Sequence, residues 1–458
     1  PRPTWASVGP NMWRVDALRR LAQLLRHPAF RRLVAVRTLS QGGDAVVQVG
    51  MAAYILFSPQ TQPNAWAIAA VIALVMLPFS VVGPFVSPIL DRFPRQRIVV
   101  VCDLIRLVLA IASFVVVVSG GAAGSRQVLL FGLLLVILGL NRLQLAALGA
   151  GMPHTVAANE YLEAAAIMPM VGPISGMIGG LLAGGLRLAS GRLLSPAWAD
   201  SLVFALAAVM FAAAALVAAR FGGHRLGPHA GEIRSTWADV WTGLSVGVRE
   251  LWHARPAFVG VGMVFGARIG YGVLMTMVIL LYRHYFGSDE NLESVMVEMG
   301  VWFLVSGAGF ALSGLVATPS AARLGVRLTL LGSLALAGLA QLIPAGALTR
   351  PALLGAGFLL GLFLQSVKIC GDTLTQAHIC DQVRGRVMVI YDIVNNLGLV
   401  VGAVVAAATL PADGNSWPTL VALAGWYFLL AAVFALLSRG QTASYNRGTV
   451  LADGGGGS

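Results

Sequence analysis

The chain has 458 residues, 57% of them apolar and only 11% charged, with a mean hydropathy of +0.81, whereas soluble domains carry about 25% charged residues. That balance excludes a soluble enzyme, and the 54 glycines follow no G-X-Y period, which excludes a collagen-like chain. A net charge of +12 would point to nucleic acid in a soluble protein, but here the basic residues sit between long apolar runs, so the expected partner is lipid and no nucleic acid is implied.

In chain order, residues 1–32 form a basic leading segment. Ala17, Leu18, Leu21 and Leu25 recur at helical spacing among Arg14, Arg19, Arg20 and Arg26, the pattern of a short helix lying on the inner membrane surface. The apolar run that follows is too long for a signal peptide and has no small-residue cleavage site, so the first helix is expected to be retained. Apolar blocks long enough to span a bilayer then occur near 33–57, 65–89, 98–118, 127–150, 164–186, 198–219, 257–282, 294–317, 328–347, 351–373, 387–409 and 418–438. With a cytoplasmic N-terminus, 21 arginines fall on the cytoplasmic side and five on the other. That asymmetry satisfies the positive-inside rule with both termini cytoplasmic. A connection over 220–256 divides the spans six and six. The expected organisation is therefore a six-helix bundle over 33–219, a cytoplasmic linker over 220–256, a second six-helix bundle over 257–438, and a cytoplasmic tail over 439–458. The last five residues of that tail, GGGGS, have the composition of an artificial linker. All but one of the 31 basic residues are Arg, as a GC-rich bacterial genome would produce, and the expected location is a bacterial inner membrane.

The halves echo each other. The turn after span 2, from Leu90 to Phe93, corresponds to Ala322 to Gly325 after span 8 at an offset of about 231, and Gly172 and Gly176 match Gly398 and Gly402 at an offset of 226. Such similarity marks a transporter built from a duplicated six-helix unit. The first turn reads Asp91-Arg92-Phe93-Pro94-Arg95-Gln96-Arg97, followed by Asp103 and Arg106 three residues apart on span 3. Span 5 contains Gly172-Pro173-Ile174-Ser175-Gly176, a stripe of small residues with a helix-bending Pro. These stretches resemble motifs A and C of the major facilitator superfamily, and the Asp-x-x-Arg on span 3 resembles its drug and siderophore exporter branch, of the drug:proton antiporter-3 type. Phe30 to Asp44 at the start of span 1 and Gly385 to Asn396 at the start of span 11 extend the resemblance to both halves. It implies an all-α polytopic fold of twelve transmembrane helices in two pseudo-symmetric six-helix bundles, working by alternating access. It also implies gate residues at Asp91, Arg92, Asp103, Arg106 and Arg386, a packing motif at Gly172, Pro173 and Gly176, and export rather than uptake. The chain departs from the pattern at Ser87-Pro88, where a Gly is usual, and at Ala322, where the second copy of motif A would have its Asp.

Charged residues in the middle of a span cost about 2.5–3.5 kcal/mol even on lenient scales and mark functional positions. Arg37, Asp44 and Gln48 share one face of span 1. Asp44 is a candidate proton carrier; its bland alternative is a structural salt bridge to Arg142 or Arg106. Arg142 on span 4 and Arg268 on span 7 have no carboxylate within four residues of the same helix, and would meet either a distant carboxylate or an anionic substrate group. Lys368 and Asp372 on span 10 are placed to pair with each other. Tyr271 and Gln365 complete the candidate substrate site, with Asn141 as a further polar candidate. Deep cations outnumber deep carboxylates four to two outside the Asp103/Arg106 pair, which favours an anionic or zwitterionic amphiphile. His154 and His378 lack the neighbours a metal site needs, the three cysteines have no metal or disulfide spacing, and no nucleotide-binding or nucleophile motif is present.

The sequence thus predicts a proton-coupled exporter of an amphipathic small molecule, not an enzyme, with no cofactor or metal, acting as a monomer among membrane lipids. A lipid or lipid-linked glycan flippase on the same fold, with Arg37, Arg142 and Arg268 on a phosphate headgroup, is the alternative. A non-transporting membrane receptor or scaffold is the second.

Overall fold

The computed structural model describes residues 24–57, 64–81, 86–119, 125–157, 160–222, 226, 237–287 and 292–446. Most of the leading segment read as an interfacial helix, and the GGGGS end, lie outside them. The described elements are helical: α1 (Pro28–Phe57), α2 (Ala65–Val81), α3 (Val86–Arg92), α4 (Arg95–Val118), α5 (Ser125–Gly151), α6 (Tyr161–Gly191), α7 (Pro196–Ala219), α8 (Trp237–His253), α9 (Arg255–Leu280), α10 (Leu292–Gly346), α11 (Arg350–His378), α12 (Asp381–Thr409), α13 (Trp417–Leu437) and the single turn α14 (Thr442–Tyr445). Where they are described, the apolar blocks fall on helices because backbone polar groups in lipid must be satisfied within the segment; the block over 65–89 is described as two, α2 and α3. Among the described residues, nine helices are long and apolar enough to cross a membrane. One of them, α10, carries two of the blocks and is broken at Gly325, whose φ of 85° belongs to the left-handed region. Starts are set by local chemistry: Pro occupies the first turn of α7, α9, α11 and α13, and the side chains of Thr349 and Ser416 accept backbone N–H groups at the starts of α11 and α13.

The chain forms two compact units, residues 1–51 with 86–235, and residues 52–85 with 236–458. In the first, α4 packs on α5 and α7, and α6 packs on α7. The α1 and α6 backbones meet at Gly42 and Gly179, where any Cβ on Gly179 would collide with the Gly42 carbonyl, the close approach that small residues permit in membranes. His27 and Glu160 pair at 2.8 Å where the same two helices begin, and Arg187 and Asp200 pair between α6 and α7. In the second unit, α10 packs on α11 and α13, α9 on α11 and α12, and α12 on α2 and α8. Here too a glycine pair, Gly272 of α9 and Gly402 of α12, brings backbones together. The core of this unit includes the fully buried Trp302, whose Nε1–H donates to the Leu353 carbonyl at 3.0 Å.

The stretch read as a linker contains a seventeen-residue helix, α8. Its buried face is formed by Gly243, Gly247 and Leu251, with the two glycines against Arg386 and Ile390 of α12.

Candidate functional site

Four helices of the first unit converge on one guanidinium. Arg106 of α4 is fully buried. Its Nη2 donates to Asp44 of α1, and its Nη1 donates to Asp103 Oδ1 at 3.1 Å, to Ser40 Oγ at 2.8 Å and to Gln144 of α5. The Ser40 hydroxyl donates to Asp103 Oδ1 at 2.6 Å, and Gln144 Nε2 donates to Asp103 Oδ2 at 2.7 Å. Gln41 Nε2 links the cluster to Asn141 Oδ1 at 2.7 Å and reaches Asp44 Oδ2 at 3.4 Å. The ring of Phe211 on α7 lies 4.2 Å from the guanidinium carbon, close enough for a cation–π contact. Gly43 makes room for that ring, since a Cβ there would stand 2.7 Å from Phe211 Cε1.

This arrangement joins residues that the sequence reading kept apart. Asp103 and Arg106, expected at a gate, share one hydrogen-bonded cluster with Asp44, and of the two partners considered for Asp44 it is Arg106 that reaches it. Arg92 is exposed and makes no ion pair among the described residues, and the side chain of Asp91 lies outside those described. Two neighbours in the same turn were missed. Arg95 Nη1 donates to the carbonyls of Ala150 and Leu226, each at 3.1 Å, and Gln96 Nε2 donates to the Phe221 carbonyl at 2.6 Å. Both side chains thus satisfy carbonyls at or beyond helix ends. The only sequence signal for them was their position in the basic turn.

Arg37 is half-buried on α1, makes no ion pair or hydrogen bond among the described residues, and lies beside Gly172. A Cβ on Gly172 would stand 3.6 Å from Arg37 Nη2 and 3.5 Å from Gln41 Oε1. Of the other small residues on α6, Gly176 faces Ala45 of α1, whereas Pro173 is exposed. Arg142 and Gln48 are half-buried.

The second unit repeats the motif with different chemistry. Arg268 of α9 lies against Gly398 of α12, as Arg37 lies against Gly172. Its Nε donates to Asn395 Oδ1 at 2.8 Å and its guanidinium stands 5.4 Å from the Phe310 ring, with no carboxylate bonded to it among the described residues. Tyr271, one turn further along α9, meets the same Phe310 ring edge-on at 5.4 Å and shares a 3.1 Å hydrogen bond with Ser306. Lys368 and Asp372 of α11 pair at 2.9 Å, and the Tyr391 hydroxyl donates to the Lys368 carbonyl at 3.2 Å. Gln365 is half-buried on the same helix, and Arg386 is exposed at the start of α12. His378 lies in the last turn of α11, its ring between the Leu374 carbonyl and Ser444 Oγ. Among the described residues no three His, Cys, Asp or Glu side chains come together as a metal site.

Helices of this length and apolarity, with charged side chains held inside them, define a polytopic membrane protein. Residues 261–452 match the family model described as Major Facilitator Superfamily. The chain is also 30% identical over 414 residues, 88% of its own length and 89% of the relative's, to proteins of Mycobacterium tuberculosis and Mycobacterium bovis, each described as an uncharacterized MFS-type transporter. The fold is similar to that of the nucleoside transporter NupG (TM-score 0.64, 14% identity, 90% of this chain and 99% of that one). It is similar as well to the POT family transporter PepTSo (TM-score 0.64, 12%, covering 92% and 98%) and to a bacterial homologue of the iron transporter ferroportin (TM-score 0.64, 16%, covering 90% and 98%). The chain belongs to the major facilitator superfamily and is a multi-pass membrane transporter.

Proposed function

We propose that the protein is a proton-coupled exporter of an amphipathic anionic or zwitterionic small molecule, working as a monomer by alternating access in a bacterial inner membrane, with both termini in the cytoplasm. The observation that carries the coupling is the charge count at Arg106: two carboxylates, Asp44 and Asp103, share one guanidinium at a site closed to solvent. An unbalanced charge buried in apolar surroundings is expensive. A proton on one of the two acids removes the imbalance, and losing it restores a negative charge that strains the cluster. Protonation therefore selects between two states of the transporter in the way coupling requires. The substrate charge is argued from Arg37 and Arg268, which have no carboxylate partner among the described residues, while Lys368 and Asp372 neutralise each other. The resemblance of Gly172-Pro173-Ile174-Ser175-Gly176 to motif C favours export, and the exporter branch suggested by Asp103 and Arg106 favours it further.

The test is transport into inverted membrane vesicles carrying an imposed proton gradient, read with the anionic amphiphile anilinonaphthalene sulfonate and the cationic dye ethidium. Gradient-driven accumulation of the anion, lost in Asp44→Asn, is expected. Accumulation of ethidium alone would contradict the substrate charge. Accumulation of the anion that ignores the gradient would contradict proton coupling.

A further inference from the structure

We propose that α8 is a membrane-surface helix whose exposed stripe is seated in the phospholipid headgroup boundary. The inference rests on the placement of this helix and is independent of the substrate and of the coupling ion.

Trp241, Val248 and Trp252 are 64%, 53% and 68% exposed. At 100° per residue they fall within a narrow strip on one side of α8. The buried residues Gly243, Gly247 and Leu251 lie on the other side. The glycines let α8 lie close on α12: a Cβ on Gly243 would stand 3.2 Å from Arg386 Nε, and one on Gly247 would stand 2.8 Å from Ile390 Cδ1. One face of α8 is therefore committed to protein, and the apolar stripe faces outward.

Continuity with α9 identifies what covers that stripe. A single residue, Ala254, separates the end of α8 from the start of α9, a helix long and apolar enough to cross the membrane. The Trp252 ring packs edge-on against Phe258 in the first turn of α9, 4.8 Å between centroids, and Phe258 is itself 42% exposed. The stripe of α8 thus runs on into the outer face of a helix at the point where that helix meets the bilayer. Trp is enriched at this depth because its ring is apolar and its N–H is polar. Arg249, His253 and Arg255 are exposed beside the stripe, placed for headgroup phosphates. An amphipathic helix with Trp on one side and basic residues beside them binds a lipid surface by burying the apolar face about 5–10 Å into the headgroup and acyl boundary. The inner face of α8 rests on Arg386 and Ile390, so its seat in the bilayer also positions the first turns of α12.

Nitroxide depth measurements on the full chain in phosphatidylglycerol/phosphatidylcholine nanodiscs test this. The exposed native thiol is removed with Cys380→Ser, and the label is carried by Val248→Cys or, in a second protein, by Trp252→Cys. Ala412→Cys, in an exposed turn, serves as the aqueous reference. The ratio of collisions with oxygen to collisions with a water-soluble nickel chelate is expected to rise about fivefold or more at position 248 over position 412, as immersion at that depth requires. A ratio equal to that at 412 would overturn the proposal by placing the stripe in water. A label shielded from both reagents would overturn it by showing that protein covers the stripe. Should Val248→Cys fail to give a monodisperse protein, the label at 252 decides by the same criteria.

Discussion

Replacing Arg106 with Leu would leave Asp44 and Asp103 buried together without their shared cation. Removing one side of a buried ion pair costs about 3–5 kcal/mol, so Arg106→Leu should lower the thermal stability of the purified protein sharply, whereas Asp44→Asn keeps a hydrogen-bond acceptor for Arg106 and should lower it far less. Equal stability for Arg106→Leu and the parent would show that the two acids do not depend on it. Arg268 presents the opposite case. Among the described residues it makes one hydrogen bond, to the neutral Asn395, worth about 0.5–1.5 kcal/mol, so Arg268→Ala should leave the fold intact while weakening binding of an anionic ligand about tenfold or more, the loss of one charge-assisted contact. Titration of anilinonaphthalene sulfonate fluorescence against both proteins measures this. At this scale the sequence revealed pairs closed within one helix, Lys368 with Asp372 and Asp103 with Arg106, because helical spacing brings such residues together. It offered Arg106 only as one of two alternative partners for Asp44, and it did not reveal that Ser40 and Gln144 complete the cluster, because that depends on how α1, α4 and α5 approach one another.

Helices were legible wherever lipid imposes a length, and illegible where it does not. Apolar blocks had to form helices of bilayer thickness, and among the described residues nine helices reach that length, whereas the block over 65–89 is described as a seventeen-residue helix, α2, and the short α3. The helix α8 was hidden inside a stretch read as a connection. Its signal was present in Trp237, Trp241, Leu244, Val248 and Trp252, which recur every three or four residues, but it is too short and too polar for a search by apolar length. The break in α10 was also legible in part, since Gly325 fell in the turn matched to the one after span 2. Its local chemistry yields a prediction. Gly325 has φ 85°, and a Cβ there would stand 2.5 Å from Asn446 Oδ1, the same oxygen that accepts the Arg327 N–H at 3.2 Å. Gly325→Ala should therefore cost at least about 1–2 kcal/mol from the left-handed backbone alone and more from the displaced Asn446. A fall in melting temperature, together with faster proteolysis of the chain end beyond Leu437, would report both effects. An unchanged melting temperature would mean that the turn can relax without loss.

For the whole molecule, the two compact units carry comparable devices with different charge. Each sets an arginine against a glycine of a neighbouring helix, Arg37 at Gly172 and Arg268 at Gly398, as a duplicated ancestral unit would leave behind. Among the described residues only the first adds a cluster in which acids outnumber the cation; under the proposed function that cluster binds the proton, and Arg37 and Arg268, one in each unit, are left for the substrate. The offsets near half the chain made the resemblance of the two halves visible in the sequence, whereas the make-up of the Arg106 cluster depended on which charges met. Proton binding at the Arg106 cluster is the central claim, and infrared difference spectroscopy of the protein in nanodiscs, between mildly acidic and mildly alkaline buffer, tests it without knowledge of the substrate. The account predicts a protonated-carboxyl band that is present in the parent and disappears or shifts in Asp44→Asn and Asp103→Asn. A band unchanged in both variants, or no titrating carboxyl at all, would contradict it.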